Sequence, residues 1–128
     1  ALAGCGVDDA LVEVDGVLEA TLSEMAALGA HPADVTASIG PSICGACYEV
    51  PEQMRGDAAA LLPATASRTR WGTPALDLRA GAVCVLQDAG VPAEAIDAEH
   101  PCTLEDERFF SYRRSAVTGR FAGVLRRG

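Results

Sequence analysis

The residues of this 128-residue chain best suited to chemistry lie at its end. Arg108-Phe109-Phe110-Ser111-Tyr112-Arg113-Arg114 is followed by Thr118-Gly119-Arg120. From Arg108 onward there are six arginines and no carboxylate side chain. A guanidinium presents a planar fork that matches phosphate oxygens and also stacks on rings. Ser111, Tyr112, Arg113, Arg114 and Arg120 are therefore candidate residues for binding phosphate or an anionic substrate beside an apolar wall. The competing structural reading puts Phe109 and Phe110 in the core and leaves the arginines in water or paired with nearby acids. Arg113 follows two Phe and a Tyr, so it is expected to be partly buried and hence paired. A carboxylate partner such as Asp77 or Glu49 would make its role structural; a phosphate would make it a ligand-binding residue.

A second group is Cys44-Gly45-Ala46-Cys47. A C-x-x-C pair suits half of a zinc site, a redox couple, or two small buried apolar side chains. Zinc needs a second pair of donors, and the candidates by type are His100 and Cys102. Only two histidines occur, His31 and His100. His31 precedes Pro32 and reads as an exposed loop residue. With so few imidazoles, no site of three or more protein ligands is expected, and no cofactor is assigned to this chain. The acidic run Glu94, Asp97, Glu99, Glu105, Asp106 and Glu107 reads as a solvated loop, with Arg108 or Arg113 as pairing partners.

Position must come from the elements between these groups. Val17, Leu18, Leu22, Met25 and Leu28 recur at helical spacing across 16–28, and Gly29 stops the helix. Val35–Ile39 is β-rich and is broken by Gly40-Pro41. Pro51 opens a helix running to about Leu62. Pro63–Pro74 reads as a loop, and Ala75–Ala89 as a second long helix ended by Gly90 and Pro92. Ala93–Ala98 and Arg120–Leu125 read as strands. With 49% hydrophobic residues the chain can build a core. A net charge of −8 argues against nucleic acid as a partner. No apolar run reaches the roughly 18 residues of a transmembrane helix, so no membrane partner is expected. The five cysteines are not arranged as a secreted disulfide framework, and a cytoplasmic location is expected.

The same segments resemble a known family. CT…RFFSYRR…TGR at 102–120 is similar to the closing signature of the YfiH-like family. Its members are called multicopper polyphenol oxidoreductases, laccase-domain proteins or purine nucleoside phosphorylases. Ile39-Gly40-Pro41-Ser42-Ile43-Cys44-Gly45-Ala46-Cys47-Tyr48-Glu49-Val50 resembles that family's IGP…CYEV segment. Ala75-Leu76-Asp77-Leu78 with Leu86 and Ala89-Gly90-Val91 resembles its LDL…L…AGV stretch, and Gly16–Thr21 the start of a preceding helix.

The resemblance covers residues 16–128 and leaves 1–15 as a divergent N-terminal segment. It implies an α+β fold, a layered sandwich of mixed β-sheets with flanking helices. It implies metal-dependent purine nucleoside phosphorolysis or polyphenol oxidation, with zinc or copper as the family's metal. It also implies two His and one Cys as metal ligands in an N-terminal half. Residues 5–13, which match the ground just before the family's helix, contain no His, Trp or Arg. The expectation is a C-terminal half that is inactive alone. The substrate would be a nucleoside or phosphate, and a second copy or a partner chain would cover the open side. The alternatives are a non-catalytic structural or interaction domain paired with a partner, or a small C-x-x-C redox or zinc protein.

Overall fold

The computed structural model describes residues 16–127. The segment 1–15, expected to diverge from the family, lies outside the described residues. Helix α1, Val17–Ala27, turns Leu22 inward, with Leu18 and Met25 beside it. Gly29 terminates it with φ 99°, a left-handed conformation that costs glycine little. Val17 and Leu28, counted above on the apolar stripe, lie at the helix ends and remain exposed.

The chain then turns through a 3₁₀ segment, Pro32–Asp34, into β1, Ala37–Ser38. Helix α2 spans Glu52–Leu61 directly after Pro51. The stretch Pro63–Pro74, read above as a loop, instead holds a 3₁₀ turn at Pro63–Thr65 and strand β2 at Ala66–Arg68. Strand β3, Pro74–Leu76, returns antiparallel to β2, with Ala66 opposite Leu76. The hairpin closes where Thr69 N–H donates to the Thr73 carbonyl at 2.8 Å, with Gly72 at φ 85°. Its strands are too short, and too rich in Ser, Arg and Pro, to give an alternating signal.

Helix α3, Leu78–Asp88, begins three residues later than its periodicity suggested. The reason is Asp77, whose carboxylate accepts from the Ala80 N–H at 2.9 Å and caps the helix. Ala75 and Leu76 are thereby left to the strand. The expected strand at 93–98 shrinks to a 3₁₀ turn, Ala93–Ala95, and β4, Ile96–Asp97. Arg120–Leu125 has no regular structure.

The fold is α+β, and among the described residues its strands form two small sheets. β1 pairs in parallel with β4, and this pairing extends to a bridge between Ser42 and Cys102. On the other sheet, the chain at 48–50 runs along the free side of β3. Val50 N–H donates to Pro74 O at 3.0 Å, and Leu76 N–H donates to Tyr48 O at 3.2 Å. Leu22, Leu86 and Val91 form a core between α1 and α3, capped by Val35, Ala37, Ile39 and Ile96 from the parallel pair. Among the described residues, no helix is long and apolar enough to cross a membrane.

Close packing of α3 on the 63–65 turn depends on Gly81. A Cβ there would lie 2.7 Å from Thr65 Cγ2 and 3.2 Å from Leu62 Cδ2. Thr65 cannot swing away, because it is buried and its hydroxyl donates to Leu62 O at 2.7 Å. Gly81→Ala is therefore expected to destabilise by about 1–2 kcal/mol despite the better helix propensity of alanine. Gly56 in α2 has nothing within 4 Å of its Cβ position. Gly56→Ala is expected to stabilise by about 0.5–1 kcal/mol. Urea unfolding of both variants checks the pair.

Candidate functional site

The C-x-x-C segment forms a tight turn after Gly40-Pro41. Cys47 and Tyr48 N–H groups both donate to the Cys44 carbonyl at 3.0 Å. Gly45, at the inside of the turn, presses against Asp77 and Ser67. A Cβ there would sit 2.8 Å from Asp77 Cβ and 2.9 Å from Ser67 Oγ, so this position needs glycine. The Ser42–Cys102 bridge carries the 102–105 loop alongside, with Thr103 N–H donating to Ser42 O at 3.2 Å.

Two segments thereby bring the thiols of Cys44, Cys47 and Cys102 and the carboxylate of Glu105 together, with their donor atoms all within 4.8 Å of one another. This corrects the argument that a shortage of histidine rules out a set of three or more candidate ligands. Of the two candidate donors named beside the cysteines, Cys102 is in the cluster and His100 is elsewhere: its Nε2 lies 3.5 Å from Ser38 Oγ and 3.7 Å from Asp97 Oδ2. Glu105 takes its place. The sequence did carry a signal for this, because Cys102-x-x-Glu105 repeats the spacing of Cys44-x-x-Cys47.

The electrostatics of the cluster are uneven. Burial pushes the Cys47 thiol up, and its hydrogen bonds to Cys44 and Glu105 push the same way. Cys102 is also disfavoured by burial, yet backbone N–H groups of Cys44, Glu105 and Leu104 outweigh this and hold it below the ordinary thiol value. Arg70, reaching over from the hairpin, donates to Glu105 Oε1 at 2.9 Å and to Cys47 Sγ at 3.5 Å. That guanidinium is the main reason the Glu105 carboxyl sits below the usual range.

The residues of the arginine segment take separate partners. Arg113 donates to the Glu49 carbonyl at 2.6 Å and stacks over the Tyr48 ring, its Cζ 4.8 Å from the centroid. It is exposed, and its partner is the backbone of Glu49 rather than the carboxylate of Glu49 or Asp77. Arg114 turns the opposite way along the chain. It donates to the carbonyls of Thr103, Leu104 and Phe109, the last at 2.5 Å. Ser111 is buried and accepts from Arg114 N–H at 3.3 Å. Tyr112 and Arg120 are exposed and have no hydrogen-bond partner among the described residues.

The residues after Arg114 fold back over the two Phe. Phe109 meets Phe121 with centroids 5.6 Å apart, and a Cβ on Gly119 would strike the Phe110 ring at 2.8 Å. The Thr-Gly-Arg motif therefore needs its glycine for the Phe110 ring to approach the backbone this closely.

Sequence reasoning missed Arg79. Its guanidinium donates to Ser42 Oγ at 2.9 Å, Ser42 O at 2.6 Å, His100 O at 2.5 Å and Pro101 O at 2.7 Å. The available signal was position. A cation in the first turn of a helix opposes the helix dipole and so calls for another reason to be there.

Two outcomes are expected. Arg79→Ala leaves the His100 and Pro101 carbonyls without their donor and should cost about 2–3 kcal/mol in chemical unfolding, with Arg79→Lys rescuing only part. Stability should also fall in acid. The Arg108 fork holds Asp106 down at about 2, so that pair contributes above the unfolded carboxylate value near 4 and is lost as pH falls from there toward 2. Thermal midpoints of wild type and Asp106→Asn should differ at neutral pH and converge at the acid end.

The family model described as multi-copper polyphenol oxidoreductase laccase matches residues 12–127. The chain is 50% identical over 112 residues to a purine nucleoside phosphorylase of Streptomyces griseus, an alignment covering 88% of this chain and 45% of that protein. It is 46% identical over 110 residues to one of Mycobacterium tuberculosis, covering 86% and 43%. It is 39% identical over 103 residues to the purine nucleoside phosphorylase YlmD of Bacillus subtilis, covering 76% and 37%. The chain thus spans less than half the length of these relatives, and no solved structure matches it. Matched over nearly its whole length, the chain belongs to the multi-copper polyphenol oxidoreductase laccase family.

Proposed function

We propose that this chain acts in purine nucleoside phosphorolysis as the portion that carries the arginine segment, in the cytoplasm, and that it is inactive without the family's metal ligands. The observation that carries this reading is the similarity to purine nucleoside phosphorylases over most of the chain. In the reaction a phosphate oxygen attacks the ribose C1′ while the bond from C1′ to the purine nitrogen breaks. The purine leaves with that electron pair and takes up a proton from solvent. Such chemistry needs a held phosphate and a stacked base. Arg113 and Arg114 have their donors engaged by carbonyls, which fixes two positive charges in place. Arg120 is the arginine of the segment assigned to phosphate, and Tyr112 the ring assigned to the base.

The family description implies copper, and the donors can be tested for fit. A multi-copper centre cycling through Cu(II) requires several imidazoles. Of the two histidines, His31 is exposed and His100 lies with Ser38 and Asp97, away from the thiols. The described residues do not fit such a centre, and no step is drawn through copper.

The two small sheets are read here as parts of a larger layered sandwich of mixed sheets, completed by sequence of the kind the longer relatives carry. A second reading, a non-catalytic domain that packs on a second copy or a partner chain, rests on the exposure of Val117, Val124 and Leu125, each above 90%.

The test fuses the preceding half of the Streptomyces griseus relative to this chain and follows purine release from inosine with phosphate. The fusion should turn over and the chain alone should not. Arg120→Ala in the fusion should cost tenfold or more in kcat/KM, mainly through KM for phosphate. Turnover by the chain alone would overturn the half-site reading. A folded but inert fusion would favour the interaction domain.

A further inference from the structure

Beyond that reading, the thiol cluster lacks an assigned role. We propose that Cys44, Cys47, Cys102 and Glu105 form a closed, structural zinc site that ties the cysteine turn to the 102–105 loop.

The donor set has the required chemistry. Structural zinc takes four ligands in a tetrahedron, mostly thiolates, and sulfurs bound at the usual distance lie about 3.8 Å apart. The four donor atoms already lie within 4.8 Å of one another, so contraction of an ångström or less closes the site. Cys44, Cys47 and Cys102 are free of disulfides. The donors come as two pairs of equal spacing from separate segments, the arrangement by which zinc ribbons join two turns.

The surroundings suit an anionic centre. Cys44 N–H points at Cys102 Sγ at 3.3 Å, and Arg70 Nη2 at Cys47 Sγ at 3.5 Å. Three thiolates and a carboxylate carry four negative charges; zinc would cancel two and Arg70 a third. Binding would release the three thiol protons to buffer, with no change in oxidation state. All four positions are filled by protein, so the site leaves no open place for substrate.

The site also has a mechanical reason to exist. The loop it would fix supplies the carbonyls of Thr103 and Leu104 that Arg114 grips, and the turn it would fix leads into Tyr48 and Glu49, which Arg113 grips. A single ion would thus set the distance between the anchors of the two arginines.

The experiment uses the full chain purified under reducing conditions without chelator. Metal analysis should find about one zinc per chain, and Cys102→Ser should reduce this below about a tenth. Cobalt(II) alone, titrated into the chelated protein, should give thiolate-to-metal charge transfer and intense tetrahedral bands that saturate at one equivalent and disappear on adding zinc. Glu105→Gln should keep the charge transfer but weaken cobalt binding at least tenfold. Arg70→Ala, which touches the ligands without being one, should weaken it about 10- to 100-fold. Circular dichroism of each metal-free variant separates lost ligation from lost folding. The proposal fails if the wild type holds under a tenth of an equivalent and gives a pale octahedral cobalt spectrum. It fails equally if Cys102→Ser retains the metal, or if mass spectrometry finds Cys44 and Cys47 joined as a disulfide in the reductively purified chain.

Discussion

One guanidinium sets the geometry on which the rest depends. Arg79 projects from the first turn of α3 and takes hold of both chains of the parallel pair just beyond β1 and β4, at Ser42 and at His100-Pro101. The His100 and Pro101 carbonyls lie beyond β4, and the Ser42 carbonyl takes Arg79 in addition to the Thr103 N–H. A half-buried cation with five donors in a plane meets four acceptors at once, one more than the three donors of a lysine could reach. With the two chains fixed side by side, Cys102 falls opposite Ser42 and the cysteine turn closes over it. The C-terminal signature then hangs from that junction through Arg114. Disturbing Arg79 would therefore loosen the thiol cluster and the arginine segment together, although it touches no residue of either beyond the Pro101–Cys102 boundary.

The long periodic elements were legible in the sequence, and the short ones were not. Leu18, Leu22 and Met25 at helical spacing gave α1 within a residue or two, and Pro51 gave α2. The β2–β3 hairpin escaped because a strand of three residues has no period to read, and because Ala75 and Leu76 continue the apolar pattern of α3 backwards across its cap. Asp77 was the residue that could have divided them. At the site, the cysteines were recognised and Cys102 was named beside His100 as a candidate donor, but Glu105 was read only as part of a solvated acidic run. Arg113, expected to be partly buried, is exposed, and it and Arg114 are nonetheless held. Their partners proved to be backbone carbonyls, which carry no label in a sequence.

That choice of partner decides what kind of surface the C-terminal segment presents. A guanidinium paired with a carboxylate is both held and cancelled, as Arg108 is by Asp106. Arg113 and Arg114 are held without being cancelled, since a carbonyl offers a dipole and no net charge. In a chain of net charge −8, the segment after Glu107 therefore stays a fixed positive pole. A positive end on a molecule of negative net charge is a charge asymmetry with a direction, and it fades as salt shortens the reach of charge.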